Sequence, residues 1–143
     1  MRCLLAFLVV ALGLAVLPTL AVARPGSHFP CTWNYDLYDG LRADYVTAGD
    51  NATCAGLSGS LTLSTRLQEW DVTTHEWRTV EFRRRTWTNI DGRRYTEAAK
   101  KCDGGRFRAK FGWLLRSGGR IAGHLSLTEG PINAPVGCMI TLK

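Results

Sequence analysis

Residues 106–127 read RFRAKFGWLLRSGGRIAGHLSL. Phe107, Ala109, Phe111, Trp113 and Leu115 share one parity, while Arg106, Arg108, Lys110, Gly112 and Arg116 share the other, with Leu114 the apolar exception. Side chains alternate across a strand, so a period of two builds a ribbon that is apolar on one face and cationic on the other. Ser117-Gly118-Gly119 supplies the small residues of a turn. Ile121, Gly123, Leu125 and Leu127 then line the inner face of the return, with His124 and Ser126 outside. The stretch is a long β-hairpin, and it makes the chain all-β.

The same pattern extends upstream. Leu61, Leu63, Thr65 and Leu67 alternate with Thr62, Ser64, Arg66 and Gln68. Residues 71–76 are a polar connection, and 77–89 return. In that return Val80 and Phe82 have the parity opposite to Trp87, so either a bulge falls near Arg83 to Arg85 or Trp87 lies on the outer face. Asp91-Gly92 reads as a two-residue turn into a further strand over 93–99. Residues 31–38 and 41–46 read as another hairpin about Asp39-Gly40, and 136–142 as the last strand. About seven or eight short strands with frequent turn signals predict an antiparallel β-sandwich, immunoglobulin-like or related, with a small up-and-down β-barrel as the alternative.

The start of the chain is not part of this pattern. Arg2, the apolar run from Leu4 to Leu17 and Ala21-Val22-Ala23 have the order of a secretory signal peptide. Residues 1–23 are therefore expected to be removed, leaving 24–143 as a single secreted β domain without a membrane anchor. Cys3 leaves with the signal, and Cys31, Cys54, Cys102 and Cys138 remain. Four cysteines in a small exported domain predict two disulfides, because such domains add cross-links to a modest core. Of the three possible pairings, Cys54–Cys102 with Cys31–Cys138 is the favoured expectation. The C-x-x-C spacing of a metal site is absent, and no metal or cofactor is expected.

The net charge of +6 is unevenly placed. Residues 78–120 hold thirteen Lys or Arg against four Asp or Glu, whereas 24–77 hold three against seven. This asymmetry points to a polyanionic partner. Arg83, Arg85, Arg93, Arg106 and Arg108, with Lys110 behind them, are the expected cationic stripe, and Trp87 the stacking face. Arginine forks fit phosphate, sulfate and carboxylate oxygens, and an aromatic ring adds a surface for bases or sugars.

Three smaller features compete with that stripe. Residues 128–138, TEGPINAPVGC, resemble a rigid exposed loop of the kind that presents a bait to an extracellular protease. His75, Glu76 and His124 are the residues from which a secreted ribonuclease-like hydrolase would assemble acid–base chemistry. His28 lies close to the mature start. Trp70 and Trp77 flank the 71–76 connection and would stack on sugars if both faced outward. Asn51-Ala52-Thr53 is a glycosylation sequon expected in a loop.

The segments CAGLSGSLTLSTRLQ, EWRTVEF and KKCDGGRFRAKF resemble a pattern in small exported actinobacterial proteins of unknown function. That resemblance implies a disulfide-linked β-sandwich. TWNYDL and WLLRSGG are similar to segments of avidin-like biotin-binding barrels, which implies Trp33, Asn34 and Trp113 as cavity-lining candidates. The reading that results is a monomeric, secreted binding module for an anionic ligand such as an envelope polymer, a glycan or a nucleic acid. A protease inhibitor and a small hydrolase are the alternatives.

Overall fold

The computed structural model describes residues 31–39 and 44–137. They form five antiparallel strands of one curled sheet: β1 (Cys31–Asp39), β2 (Tyr45–Asp71), β3 (Glu76–Lys101), β4 (Asp103–Ser117) and β5 (Arg120–Val136). The fold is all-β, and in place of many short strands the described residues form five, two of them very long. β2 has 27 residues and β3 has 26. β3 covers one edge of β2 from Tyr45↔Lys101 to Asp71↔Glu76. The other edge of β2 is shared, first by β1 opposite residues 46–54 and then by β4 opposite residues 60–69. β5 pairs with β4. Because β4 lies beside β2 and not beside β3, the sheet is not a simple up-and-down meander.

The expected turn at Asp91-Gly92 is instead a bend inside β3. The register shifts between Cys54 and Leu57 and again between Leu57 and Ser60, so β2 carries extra residues where β3 carries Asn89 to Gly92. Bulges of this kind sharpen the local twist and turn a strand around a corner. Asn89 adopts a left-handed backbone, and the Gly56 amide donates to Asp91 Oδ1 at 3.3 Å. Gly59 has φ +154°, and a Cβ there would stand 2.1 Å from the Arg116 carbonyl oxygen, so only glycine lets β2 reach β4 at the corner. Both long strands therefore fold into two limbs.

The far ends of those limbs meet again. Lys100 pairs with Val46 at the start of β2, yet its ammonium donates to Glu69 near the end of β2 at 2.8 Å. Those two β2 residues would be about 75 Å apart on a straight strand. Lys100 also bridges Asp103 at 3.0 Å. Burial opposes the Lys100 charge, but the two carboxylates outweigh it and its pKa is raised, while Asp103 is lowered chiefly by Lys100.

The core lies between the limbs. Leu37, Val46, Ala48, Ala52 and Ala98 face Leu61, Leu63, Leu67, Phe107, Phe111 and Trp113, all buried. Tyr35 of β1 joins the limbs, with ring centroids 5.3 Å from Phe111 and 5.9 Å from Trp113. Leu125 and Leu127 lie opposite Trp113 and Phe111, as their parity predicts. Ile121 does not join them. A register shift after Leu115 sets Ile121 against Arg116, and it is 61% exposed.

Several further expectations are corrected. Cys54 pairs with Cys31 and not with Cys102, because the β1–β2 register places the two directly opposite, with Cα atoms 3.9 Å apart. Asn51 is half-buried inside β2 between Asn34 and Tyr95, so its sequon is on a strand and not in a loop. Residues 128–136 are no loop: they are the second half of β5, paired with β4 from Thr128↔Lys110 to Val136↔Asp103. The proposed signal peptide, His28, the Gly40 turn, Cys138 and most of the 136–142 strand lie outside the described residues.

Candidate functional site

The expected cationic stripe is not assembled on one face. The bulge that sequence left open falls at Val80, where Leu67↔Glu81 is followed by Gln68↔Thr79. From Glu81 to Trp87, odd residues of β3 point inward. Trp87 lies opposite Leu61, is half-buried and packs on the core. Arg83 and Arg85 lie opposite Thr65 and Leu63 and stand at the inner lip of the sheet, where a cleft of about 240 Å³ is lined by both, Tyr95, Thr96 and Glu97. Arg83 is already paired with Glu81 at 2.9 Å. Arg93 is exposed on the other limb, opposite Thr53. Arg106 is exposed opposite Asn133, beyond the β2–β4 pairing. Of the six predicted ligand-binding residues, only Arg108 joins a larger cluster.

That cluster covers the outer face of the second limb. Arg84 stands opposite Ser64, Arg66 opposite both Phe82 and Lys110, and Arg108 opposite Gln68. Arg84, Arg66 and Arg108 thus form a diagonal over three neighbouring strands. Each step crosses one strand and advances two residues, about 8 Å from strand spacing and rise. Lys110 flanks the diagonal. Beside Arg84 and Arg66 the side chains are small: Ser64, Gly112 and Ser126 form the floor of two overlapping depressions of about 210 and 270 Å³, walled by Arg66, Phe82 and His124. A Cβ on Gly112 would come within 2.6 Å of Ser64 Oγ, so glycine keeps this floor open.

Two of the arginines are held in place by rings. The Arg66 guanidinium lies 5.2 Å from the Phe82 centroid, and that of Arg108 lies 4.4 Å from Trp77. Arg108 Nε also donates to Gln68 Oε1 at 2.9 Å. Stacking of this kind leaves the edge of the fork free and reduces the entropy lost when it binds. Among the described residues, the ion pairs are Arg78–Asp71, Arg83–Glu81 and Lys100 with Glu69 and Asp103. None of them neutralises Arg66, Arg84, Arg108 or Lys110. Arg66 and Lys110 are like charges directly opposite one another, an arrangement that costs stability unless an anion lies between them.

The other candidates separate. His75 sits in the turn before Glu76 at the tip of the β2–β3 hairpin, while His124 pairs with Leu114, itself opposite Thr62. Nine residues of strand, about 30 Å, lie between the tip and that row. Trp70 and Trp77 do face outward as a cross-strand pair 5.3 Å apart, but Arg108 covers Trp77. Trp33 is 36% exposed and leans on buried Trp113 at 6.1 Å, while Asn34 points to the opposite face and accepts from the Tyr35 amide. Trp33 and Trp113 therefore meet, but Asn34 does not join them. Among the described residues no three His, Cys, Asp or Glu side chains are grouped to hold a metal ion.

One interior group was not legible in the sequence. Asp50 is fully buried in β2, between Tyr35 and Thr96 on the neighbouring strands. Burial raises its pKa to about 7, offset only in part by the Trp113 indole, and neither carboxyl oxygen completes a hydrogen bond of good geometry.

The chain matches no protein-family model, and no curated protein is significantly similar to it.

Proposed function

We propose that the protein is an exported, non-catalytic binding module whose outer face holds a linear polyanion. The supporting observation is the diagonal of Arg84, Arg66 and Arg108 with Lys110 beside it, free of carboxylate partners among the described residues, of which Arg84, Arg66 and Lys110 border a small-residue floor. Two guanidiniums are pre-stacked on rings that they cover, so the face offers charge and forked donors more than open aromatic surfaces. The matching ligand feature is a row of phosphate, sulfate or carboxylate groups. Export agrees with the Cys31–Cys54 bridge, which persists in oxidising compartments. Cys102 is buried and is not a free thiol.

The test is retention on heparin-agarose against a plain cation exchanger. The wild-type protein is expected to elute from heparin at clearly higher salt than from the exchanger. Arg66→Gln with Lys110→Gln should abolish that difference. Arg93→Gln with Arg106→Gln removes the same charge elsewhere and should keep it. Equal loss in both double variants would reduce the interaction to net charge and overturn the assignment.

A further inference from the structure

Among the described residues β3 is bonded to β2 alone, so its second edge is open. Natural sheets protect such edges by keeping them short, inserting proline, or adding charge. Residues 76–89 are neither short nor interrupted by proline, and they are rich in strand-formers: Trp77, Thr79, Val80, Phe82, Thr86, Trp87 and Thr88. The protection comes from three consecutive arginines, Arg83, Arg84 and Arg85, all exposed. Arg83 and Arg85 lie at the inner lip and Arg84 on the outer face, so the edge is flanked by guanidinium on both sides. A second copy of β3 placed antiparallel about Arg84 would oppose Arg84 to Arg84 and Arg83 to Arg85. Like charges in that position repel, so the edge excludes itself.

The same arrangement selects a partner. An extended segment with acidic side chains on both faces would neutralise the arginines and leave the strand-forming edge free to pair. Main-chain hydrogen bonds would supply the affinity and the alternating side chains the selectivity. We infer that the open edge of β3 over residues 79–88 is a docking site for an acidic, extended peptide segment of a partner protein, added as a further antiparallel strand. It adjoins the polyanion face, with which it shares Arg84, and uses Arg83, Arg84 and Arg85 together with backbone groups of the edge.

The test is hydrogen exchange on the full domain mixed with a synthetic peptide of alternating Glu and Thr. The expected result is protection of those amides in 79–88 that point away from β2, by at least tenfold at saturation. A peptide of the same composition with prolines at alternate positions should give none. The triple variant Arg83→Glu, Arg84→Glu, Arg85→Glu should lose the Glu/Thr peptide and gain a Lys/Thr peptide, which confirms that the edge survives the substitution. Binding of the Glu/Thr peptide without protection of the edge amides would show simple charge attraction and overturn the inference, as would absence of binding. Arg66→Gln with Lys110→Gln should leave edge protection unchanged, so failure of the polyanion face and failure of the edge are read separately.

Discussion

Replacing Asp50 by asparagine should stabilise the protein above neutral pH and flatten its pH dependence. Asp50 is fully buried, and its pKa is raised from 3.8 to about 7 by burial, with the Trp113 indole the one opposing contact. The folded state thus keeps a proton that the unfolded chain releases near pH 4. The resulting stability is full below the unfolded pKa and is lost as pH rises through about 7. At 1.36 kcal/mol per pKa unit the whole effect is about 4 kcal/mol, of which roughly 2–3 kcal/mol falls between pH 5 and 8. Asp71 and Asp103 are shifted down, so their opposite contribution belongs to lower pH and does not mask this window. Urea unfolding followed by tryptophan fluorescence at pH 5, 6, 7 and 8 measures it. The wild type should weaken steadily over the series, while Asp50→Asn should remain level. A wild-type stability that is constant or rises with pH would refute a buried, unpaired carboxyl, as would an unchanged slope in the variant.

Other perturbations address the frame. Cys31→Ser with Cys54→Ser opens the β1 cross-link, and on the loop-entropy model should cost about 3 kcal/mol, read as a fall in the urea midpoint. Gly59→Ala places a methyl group against the Arg116 carbonyl at the corner and should cost about 2 kcal/mol or more by the same assay. Phe111→Ala removes a buried ring that contacts Tyr35 and Trp113, and a loss of about 3–5 kcal/mol is expected in thermal unfolding.

The hairpin of β4 and β5 and the inner face of β2 were readable because strict alternation survives wherever one face is buried. Alternation does not report how long a strand runs. Asp91-Gly92 has the composition of a turn, yet the chain continues because the extra β2 residues around Gly56 and Gly59 bend both strands together. The same limit hid the site. A single unpaired residue at Val80 turns Arg83 and Arg85 inward and Arg84 outward, and Arg66 lies outside the basic block in sequence, so charge density does not point to it. Arg108 and Lys110 lie on the outer face, as their parity predicts, because β4 carries no irregularity between them and β2. Asp50 gave no signal, since one aspartate in a strand looks the same whether it faces solvent or the core.

The most direct measurement is the salt dependence of binding to a heparin oligosaccharide of defined length, for the wild type and for Arg66→Gln with Lys110→Gln. Four contacting cations predict a log–log slope of about −3, and removing two should lower its magnitude by about 1.5. A slope near −3 that falls by that amount in this variant, and is unchanged by Arg93→Gln with Arg106→Gln, is the predicted result. A shallow slope, or one that responds equally to both double variants, would contradict a polyanion site on the outer face.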